Sequence, residues 1–575
     1  MGKGGIERRW LKAEVDEAQA LSLSGALSIQ ARTARLLVAR GMRDPESARR
    51  YLEPQLSHLP DPFTMKHLLR AATRLADAIE RKEAITLYGD YDVDGVTSSS
   101  LLASFLKMHG VEAGVYIPKR LVEGYGLNQE AVEHLASTGT RLLITLDCGI
   151  TASEEIARAN SRGMEVIVVD HHRCPPALPP AYATLNPQQD DCAYPEKVLA
   201  AVGVTFNLII GVRKVLRERG AYAQGTEPQI RRLLDLVALG TIADMVPLTG
   251  VNRVLVHFGL LELRHAQRPG VRALMEVSKV RPARADSGDV GFKLGPRINA
   301  AGRLSDATVG VRLLLTEDLA EARKLAETLD AANGNRQRIE AEVFDAAKKK
   351  VDALGTLPAA IILADPEWHP GVVGIVCSKL VERYDRPAIL IGEGGRGSAR
   401  TAKGLHLYDA INDCAEFLTK FGGHRAAAGL RIPFAKVQAF SEALLARVLR
   451  DPEYGHETES TLVYDDELRP EEIDQACFAE IMKLEPFGNG NPEPLFKVPA
   501  QLRSLRVVGL DHLKLRLMQG QNGGLAGIAF KKGELANELT PGQSLELAAH
   551  LELNDFSGVE TLELRVRELR PSTPS

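Results

Sequence analysis

The run Leu87-Tyr88-Gly89-Asp90-Tyr91-Asp92-Val93-Asp94-Gly95-Val96-Thr97-Ser98 constrains this chain more than any other stretch. Residues 84–88 have the apolar character of a buried strand, and from Thr97 the apolar spacing is helical. Three carboxylates at alternate positions therefore fall in a strand-to-helix turn. In an open parallel sheet the carboxyl ends of the strands line the ligand crevice, and three mutually repelling acids there are costly unless a cation compensates them. A metal site is the favoured reading; a solvated acidic loop or an Asx-turn is the alternative.

The text around this run sets the fold class. From 84 to about 250, strand and helix alternate (VEAGVYIP, RLLITLD, EEIARANSRG, MEVIVVD), which predicts an α/β domain on a mostly parallel sheet. Residues 1–80 read as a helical segment, 81–315 as the domain that holds the acidic run, with a glycine- and arginine-containing loop at 291–303, and 316–355 as a connecting helix whose pattern restarts after Asn333-Gly334-Asn335. A smaller α/β domain follows at 356–452, with a glycine-rich loop at 394–397. Short alternating segments over 457–570 fit a β-barrel of the oligonucleotide-binding (OB) type. At 575 residues several cores are required.

Two more predicted strands end in acids, at Asp147 and at Asp170, which is followed by His171-His172; Asp244 lies in Gly-Thr-Ile-Ala-Asp-Met. Neighbouring strands of one sheet bring such ends together. Carboxylates plus two imidazoles suit two hard divalent ions, Mn²⁺ or Mg²⁺, better than zinc. The six cysteines contain no Cys-x-x-Cys pair, so disulfides and a zinc knuckle are not expected, although Cys148 and Cys174 flank the cluster. No stretch is apolar enough to span a membrane and the start lacks a signal-peptide core, so a cytoplasmic protein is expected. A net charge of −4 gives no global attraction to nucleic acid; any such binding must use local basic islands.

Two islands qualify. Lys293 to Arg303 holds Arg297, Asn299 and Arg303 without an acid, and Arg396 to Lys403 holds Ser398 and Arg400. Guanidinium forks grip phosphate bidentately and glycines admit backbone N–H groups to it, though solvated loops or fold ion pairs remain the alternative. Arg120 with Tyr125 could grip and stack a terminal nucleotide.

Tyr-Gly-Asp-Tyr-Asp-Val-Asp-Gly, Ile-Thr-Leu-Asp-Cys-Gly, Val-Asp-His-His and Gly-Thr-Ile-Ala-Asp-Met-Val-Pro-Leu, in this order, resemble the four motifs of the DHH phosphoesterase superfamily. Gly295-Pro-Arg-Ile-Asn-Ala-Ala-Gly-Arg303, Gly422-Gly423-His424 and Glu485-Pro-Phe-Gly-Asn-Gly-Asn-Pro492 are similar to its bacterial single-strand-specific 5′ to 3′ exonucleases. The resemblance implies a DHH domain, a DHH-associated domain joined by a long helix, and an OB fold. It also implies that Asp92, Asp94, Asp147, His171 and Asp244 ligate metal, with Asp90 adjacent; that His172, Arg297 and Arg303 neutralise charge at the reacting phosphate; and that Arg120, Tyr125, Asn299, Asn333, Arg336, Ser398, Arg400, Gly423 and His424 bind substrate. The expected reaction is metal-dependent removal of 5′-mononucleotides from single-stranded DNA in recombination and repair, by a monomer working with single-strand-binding protein and a helicase. A hydrolase of short oligonucleotides, cyclic dinucleotides or pyrophosphate, and a non-catalytic DNA-binding scaffold, are the rivals.

Overall fold

The structure is a computed structural model that describes residues 8–120, 122–223, 225–304, 306–401, 404–451, 454, 461–520, 523–554 and 560–572. The chain divides into two compact units, one of residues 62–244 and 259–457, the other of 1–61, 245–258 and 458–575. Pro452, Glu457 and Lys403 lie outside the described residues.

The first unit is built on five parallel strands, β1 (Ile85–Gly89), β2 (Gly114–Tyr116), β3 (Leu142–Leu146), β4 (Glu165–Val169) and β5 (Ala183–Leu185). Their spatial order is β2-β1-β3-β4-β5. Every residue of β1 and β3 is buried, as expected of parallel strands covered on both faces. The order reverses between β1 and β3, and that switch point opens a crevice at the carboxyl edge.

Helix α1 (Val93–Met108) starts four residues earlier than the sequence suggests. Asp92 is the cause: its carboxylate accepts the N–H groups of Asp94 (2.9 Å) and Gly95 (3.3 Å), which satisfies otherwise orphaned donors and draws the helix back into the acidic turn. A Cβ at position 95 would lie 2.3 Å from the Asp90 carbonyl oxygen, so only glycine fits there.

The segment expected as a loop at 291–303 is helical. A single π turn (Val290–Leu294) leads into α2 (Gly295–Leu304). Pro296 sits in the first turn, where its missing N–H is harmless, and Gly302 serves close approach: a Cβ there would lie 2.5 Å from the Tyr91 carbonyl oxygen. Both residues look like turn signals and are packing devices. The long helix α3 (Leu319–Asp352) runs unbroken through Asn333-Gly334-Asn335. The Asn333 side chain is buried and accepts from the Arg336 guanidinium, so it is held inside the helix.

The second lobe of this unit has β6 (Ile361–Ala364), helix α4 (Pro370–Tyr384), β7 (Ala388–Ile391), β8 (Arg396–Arg400), β9 (Lys420–Gly423) and β10 (Ala427–Arg431), in spatial order β9-β10-β8-β7-β6. The basic island expected as a loop is strand β8 as far as Arg400. Its inward residues are only Gly397 and Ala399, too small to announce a period of two.

In the other unit five strands from Phe496 to Pro571 form the barrel, which closes because Phe496–Val508 pairs with both His512–Gln519 and Ser544–Asn554, and the short strand Asp466–Glu467 pairs in parallel with its start. The expectation of a wholly helical preface over 1–80 is corrected. Arg9–Lys12 is a strand pairing in parallel with Thr461–Tyr464. The helices within residues 17–52 bury Ala20, Leu23, Leu36 and Leu37 against barrel residues that include Leu468, Phe496 and Leu515. Arg35 grips buried Asp466 through two nitrogens, at 2.7 and 3.0 Å. Only the helix Leu68–Arg81 joins the sheet unit, packing on Ala201–Glu218. Local amphipathicity shows that a helix has a face to bury, but carries no address for the core that receives it.

Candidate active site

The acids converge because strands β1, β3 and β4 are neighbours and each ends in one. Asp90 follows β1, Asp147 follows β3 and Asp170 follows β4. Asp92 and Asp94 come from the start of α1, and Asp244 caps the C-terminus of the helix Leu234–Ala243. Asp147 has φ of 64°, a conformation uncommon outside glycine and typical of functional positions. Ligand atoms of Asp94, His171 and Asp244 lie within 4.8 Å of one another, as do those of Asp90, Asp92 and Asp147, and those of Asp147, His171 and His172. His171 Nε2 is 3.2 Å from Asp147 Oδ1 and 3.9 Å from Asp94 Oδ2; its Nδ1 is 3.7 Å from Asp244 Oδ2.

Burial makes this cluster electrostatically unstable by itself. Burial, then the charge of Asp92, pushes the Asp94 carboxyl up to about 7, even though the N–H groups of Ala201 (2.6 Å) and Val202 (2.8 Å) donate to it. Asp244 is pushed up to about 9 by burial and then by Asp94 and Asp92. Asp90 and Asp147 are raised well above the usual carboxylate range, again by burial first and Asp92 second. Burial, then the charge of His172, pulls the His171 imidazole down to about 4, which keeps it a neutral donor.

The donor set fits a divalent cation. Among the described residues Asp90 Oδ1, Asp147 Oδ1 and His171 Nε2 are buried without a hydrogen-bond partner, in a structure where buried polar atoms ordinarily have one. Carboxylates with imidazole and no thiolate are the ligands of Mg²⁺ or Mn²⁺. The nearest cysteine, Cys148, is fully buried in the apolar cluster of Leu143 and Val166, as a core residue.

The sequence sets Asp170 among the strand-end carboxylates suited to divalent ions without a place of its own in the ligand set. It is fully buried, and its Oδ1 accepts the His172 ring Nδ1 (2.7 Å) and the N–H groups of His171 (2.7 Å) and His172 (3.0 Å), while Oδ2 accepts the N–H of Ile150 (3.0 Å). Burial opposes its ionisation, yet the bonds from His172 and Ile150 hold it below the usual range. Its charge in turn overcomes the desolvation of His172, whose imidazole is raised to about 9. Asp170 thus fixes the orientation of the His172 imidazole and the backbone at His171. The signal was its place immediately before the two histidines.

The other expected residues divide. Tyr125 meets the His172 ring edge-on at 6.0 Å and Tyr91 at 6.4 Å, and the Arg120 guanidinium lies over Tyr91 at 5.0 Å. Arg303 is pulled down to about 10 by burial and then by the charges of Arg120 and Arg336, and it feels Asp92 and Tyr91. These three arginines make one positive group beside the acids. Arg297 is tied to Asp330 of α3 (2.8 Å) and to the Lys293 carbonyl (2.7 Å). Asn299 accepts the Val93 N–H (3.1 Å), steadying the acidic turn. Arg336 is engaged by Asn333 and Glu340. Ser398 and Arg400 lie together against Gly374 of α4, where a Cβ would be 3.3 Å from Ser398 Oγ and 3.4 Å from Arg400 Nη2. Gly423 and His424, at the end of edge strand β9, are exposed, and no contact between them and the acids is present among the described residues. Gly371 carried no sequence signal of function; its carbonyl accepts from Arg303 (3.3 Å), joining the start of α4 to α2.

Three family models match the chain: the DHH family N-terminal domain at residues 84–241, the DHHA1 domain at 357–449 and the RecJ OB domain at 464–568. The single-stranded-DNA-specific exonuclease RecJ of Dickeya dadantii is 38% identical over 562 residues, covering 95% of this chain and 96% of that protein. RecJ of Bacillus subtilis is 36% identical, covering 97% of this chain and 70% of that one. Among solved structures, RecJ of Thermus thermophilus in complex with Mn²⁺ superposes with a TM-score of 0.82 at 32% identity, covering 98% of this chain and 80% of that chain. From motifs, fold and whole-length similarity together, the chain belongs to the RecJ family of single-stranded-DNA-specific exonucleases, DHH phosphoesterases that carry an OB domain.

Proposed function

We propose that this exonuclease removes nucleotides from the 5′ end of single-stranded DNA, using two divalent ions, Mn²⁺ or Mg²⁺, held by Asp90, Asp92, Asp94, Asp147, His171 and Asp244. The observation that carries the reading is the set of buried ligand atoms, Asp90 Oδ1, Asp147 Oδ1 and His171 Nε2, gathered at the carboxyl edge of one sheet without hydrogen bonds. When bound, such ions supply the charge that lets a water ionise near neutral pH and that offsets charge on the scissile phosphate.

The chain's own residues do the rest. Asp170 holds His172 protonated, so its second ring nitrogen can donate to a phosphate oxygen. Arg303, half-buried and flanked by Arg120 and Arg336, faces the phosphate with fixed positive charge. Tyr125 and Tyr91 offer ring faces to the terminal base. Ser398 and Arg400 hold a terminal 5′ phosphate one nucleotide upstream of the scissile bond, a contact that gives direction to a centre whose ligands have none. Hydrolysis breaks the P–O3′ bond of the terminal nucleotide, releasing a 5′-mononucleotide and leaving a new 5′ phosphate. The family resemblance supports a role in recombination and repair beside single-strand-binding protein and a helicase, and a monomeric, cytoplasmic enzyme.

The test is product analysis on 5′- and 3′-labelled single strands with Mg²⁺, Mn²⁺ or EDTA. Mononucleotides released from the 5′ label first, and none in EDTA, are expected; release from the 3′ label first overturns the polarity.

A further inference from the structure

The outward face of the second lobe carries a charge arrangement that the reaction above does not use. Strands β8, β10 and β9 are antiparallel neighbours, and their register sets Arg396 opposite Arg431 and Arg431 opposite Lys420. Side chains alternate along a strand, and the burial pattern puts Ala399, Ala428 and Leu430 into the core on one side. Arg396, Arg431 and Lys420 therefore form one row across the opposite face. Like charges directly opposite one another weaken a sheet. Among the described residues no carboxylate lies within ion-pair distance of Lys420 or Arg431, and both are exposed.

The next row on the same face is Ser398, Gly429 and Gly422. A Cβ at Gly429 or Gly422 would meet nothing within 4 Å, so this row is an open floor. Ser398 and Arg400 stand at its α4 side, where Gly374 leaves room beside them. Two residues along a strand separate the rows by about 6.6 Å, and adjacent strands by about 4.8 Å. These spacings set the backbones of Arg396, Arg431 and Lys420 about 7, 8 and 12 Å from Ser398, a span that two further phosphates cover only together with the extended side chains. A terminal monophosphate does not reach them.

We propose that this face is a binding site for the β and γ phosphates of 5′-triphosphorylated strands, so that the enzyme engages triphosphate ends as well as monophosphate ends. The inference rests on the reading that Ser398 and Arg400 hold the first 5′ phosphate. The α phosphate lies on the Ser398 row and the outer phosphates on the Arg396, Arg431 and Lys420 row, where each gains charge-assisted bonds.

The experiment measures binding of three 3′-fluorescein-labelled oligothymidylates, bearing a 5′ hydroxyl, a 5′ monophosphate or a 5′ triphosphate, to the full chain in EDTA by anisotropy. Wild type is compared with the double variant Lys420→Gln/Arg431→Gln. The expected result is a triphosphate strand bound roughly tenfold tighter than the monophosphate strand by wild type, with that ratio falling to near one in the variant. Equal binding of the two phosphorylated strands by wild type overturns the proposal, as does a ratio that survives the double substitution. Equal binding of the hydroxyl and monophosphate strands by wild type instead refutes the Ser398 and Arg400 reading, an outcome separately visible in the same data.

Discussion

Replacing Asp244 with asparagine separates the energetic role of the acidic cluster from its role in folding. In the metal-free protein the Asp244 carboxyl is raised from its ordinary value of 3.8 to about 9, by burial and by Asp94 and Asp92. At pH 7 the folded state therefore holds a proton that the unfolded chain does not. Between 3.8 and 7 that uptake costs about 4 kcal/mol. Because Asp94 and Asp244 share one field, on the order of 2 to 4 kcal/mol is attributable to this position. Asparagine keeps the shape and removes the cost. In EDTA at pH 7 the variant is expected to melt a few degrees above wild type, since a unit of this size shifts by about 1 to 2 °C per kcal/mol. With Mn²⁺ the order reverses, because wild type gains the binding energy of a complete ligand set and the variant does not. Hydrolysis of single-stranded DNA falls below a tenth of wild type. The assay is a pair of melting curves with EDTA or manganese, alongside an exonuclease assay. A variant less stable than wild type in EDTA, or one retaining more than a tenth of its activity, refutes the reasoning.

Asp170→Asn should loosen the His172 imidazole and the backbone that carries His171, and weaken manganese affinity roughly 10- to 100-fold, read as a shift in the metal concentration for half-maximal activity that excess manganese partly restores. Arg400→Ala should lose the preference for 5′-phosphorylated over 5′-hydroxyl ends by about 1.5 to 3 kcal/mol, measured as the change in the ratio of cleavage rates. The metal-free protein should lose stability as pH rises from about 4 to about 9, because Asp94 and Asp244 titrate higher in the folded than in the unfolded chain and the folded state binds more protons; melting curves in EDTA across that range check it, and saturating manganese should flatten the dependence. Truncation near residue 457 should yield an aggregation-prone chain, since it strips the barrel from Ala20, Leu23, Leu36 and Leu37; light scattering of the truncated protein tests this.

The parallel sheet, the acid-terminated strands and the barrel were legible because each writes a periodic or repeated pattern into the chain. Asp90, Asp147 and His171 meet because three strands are neighbours, and strand neighbourhood follows from alternating β and α segments. What escaped reading has particular causes. Helix α2 was obscured by Pro296 and Gly302, whose ordinary meaning is a turn and whose role here is a harmless first-turn position and a close approach to Tyr91. Strand β8 was obscured because its inward side chains are almost absent. The pairing of Arg297 with Asp330, 33 residues away, is nonlocal and leaves no mark in the sequence around either residue. The tie between the N-terminal helices and the barrel is nonlocal and leaves no trace in either segment alone.

That tie has a consequence for how the protein is made. The strand Arg9–Lys12 is synthesised about 450 residues before its partner Thr461–Tyr464. At roughly 5 to 20 residues per second the wait is on the order of half a minute. Throughout that interval the apolar faces of the first helices have no core of their own, whereas the sheet that carries most of the acids can already close. During synthesis the acidic sheet can therefore be complete while the apolar faces of the helices within residues 17–52 still wait for the barrel that covers them.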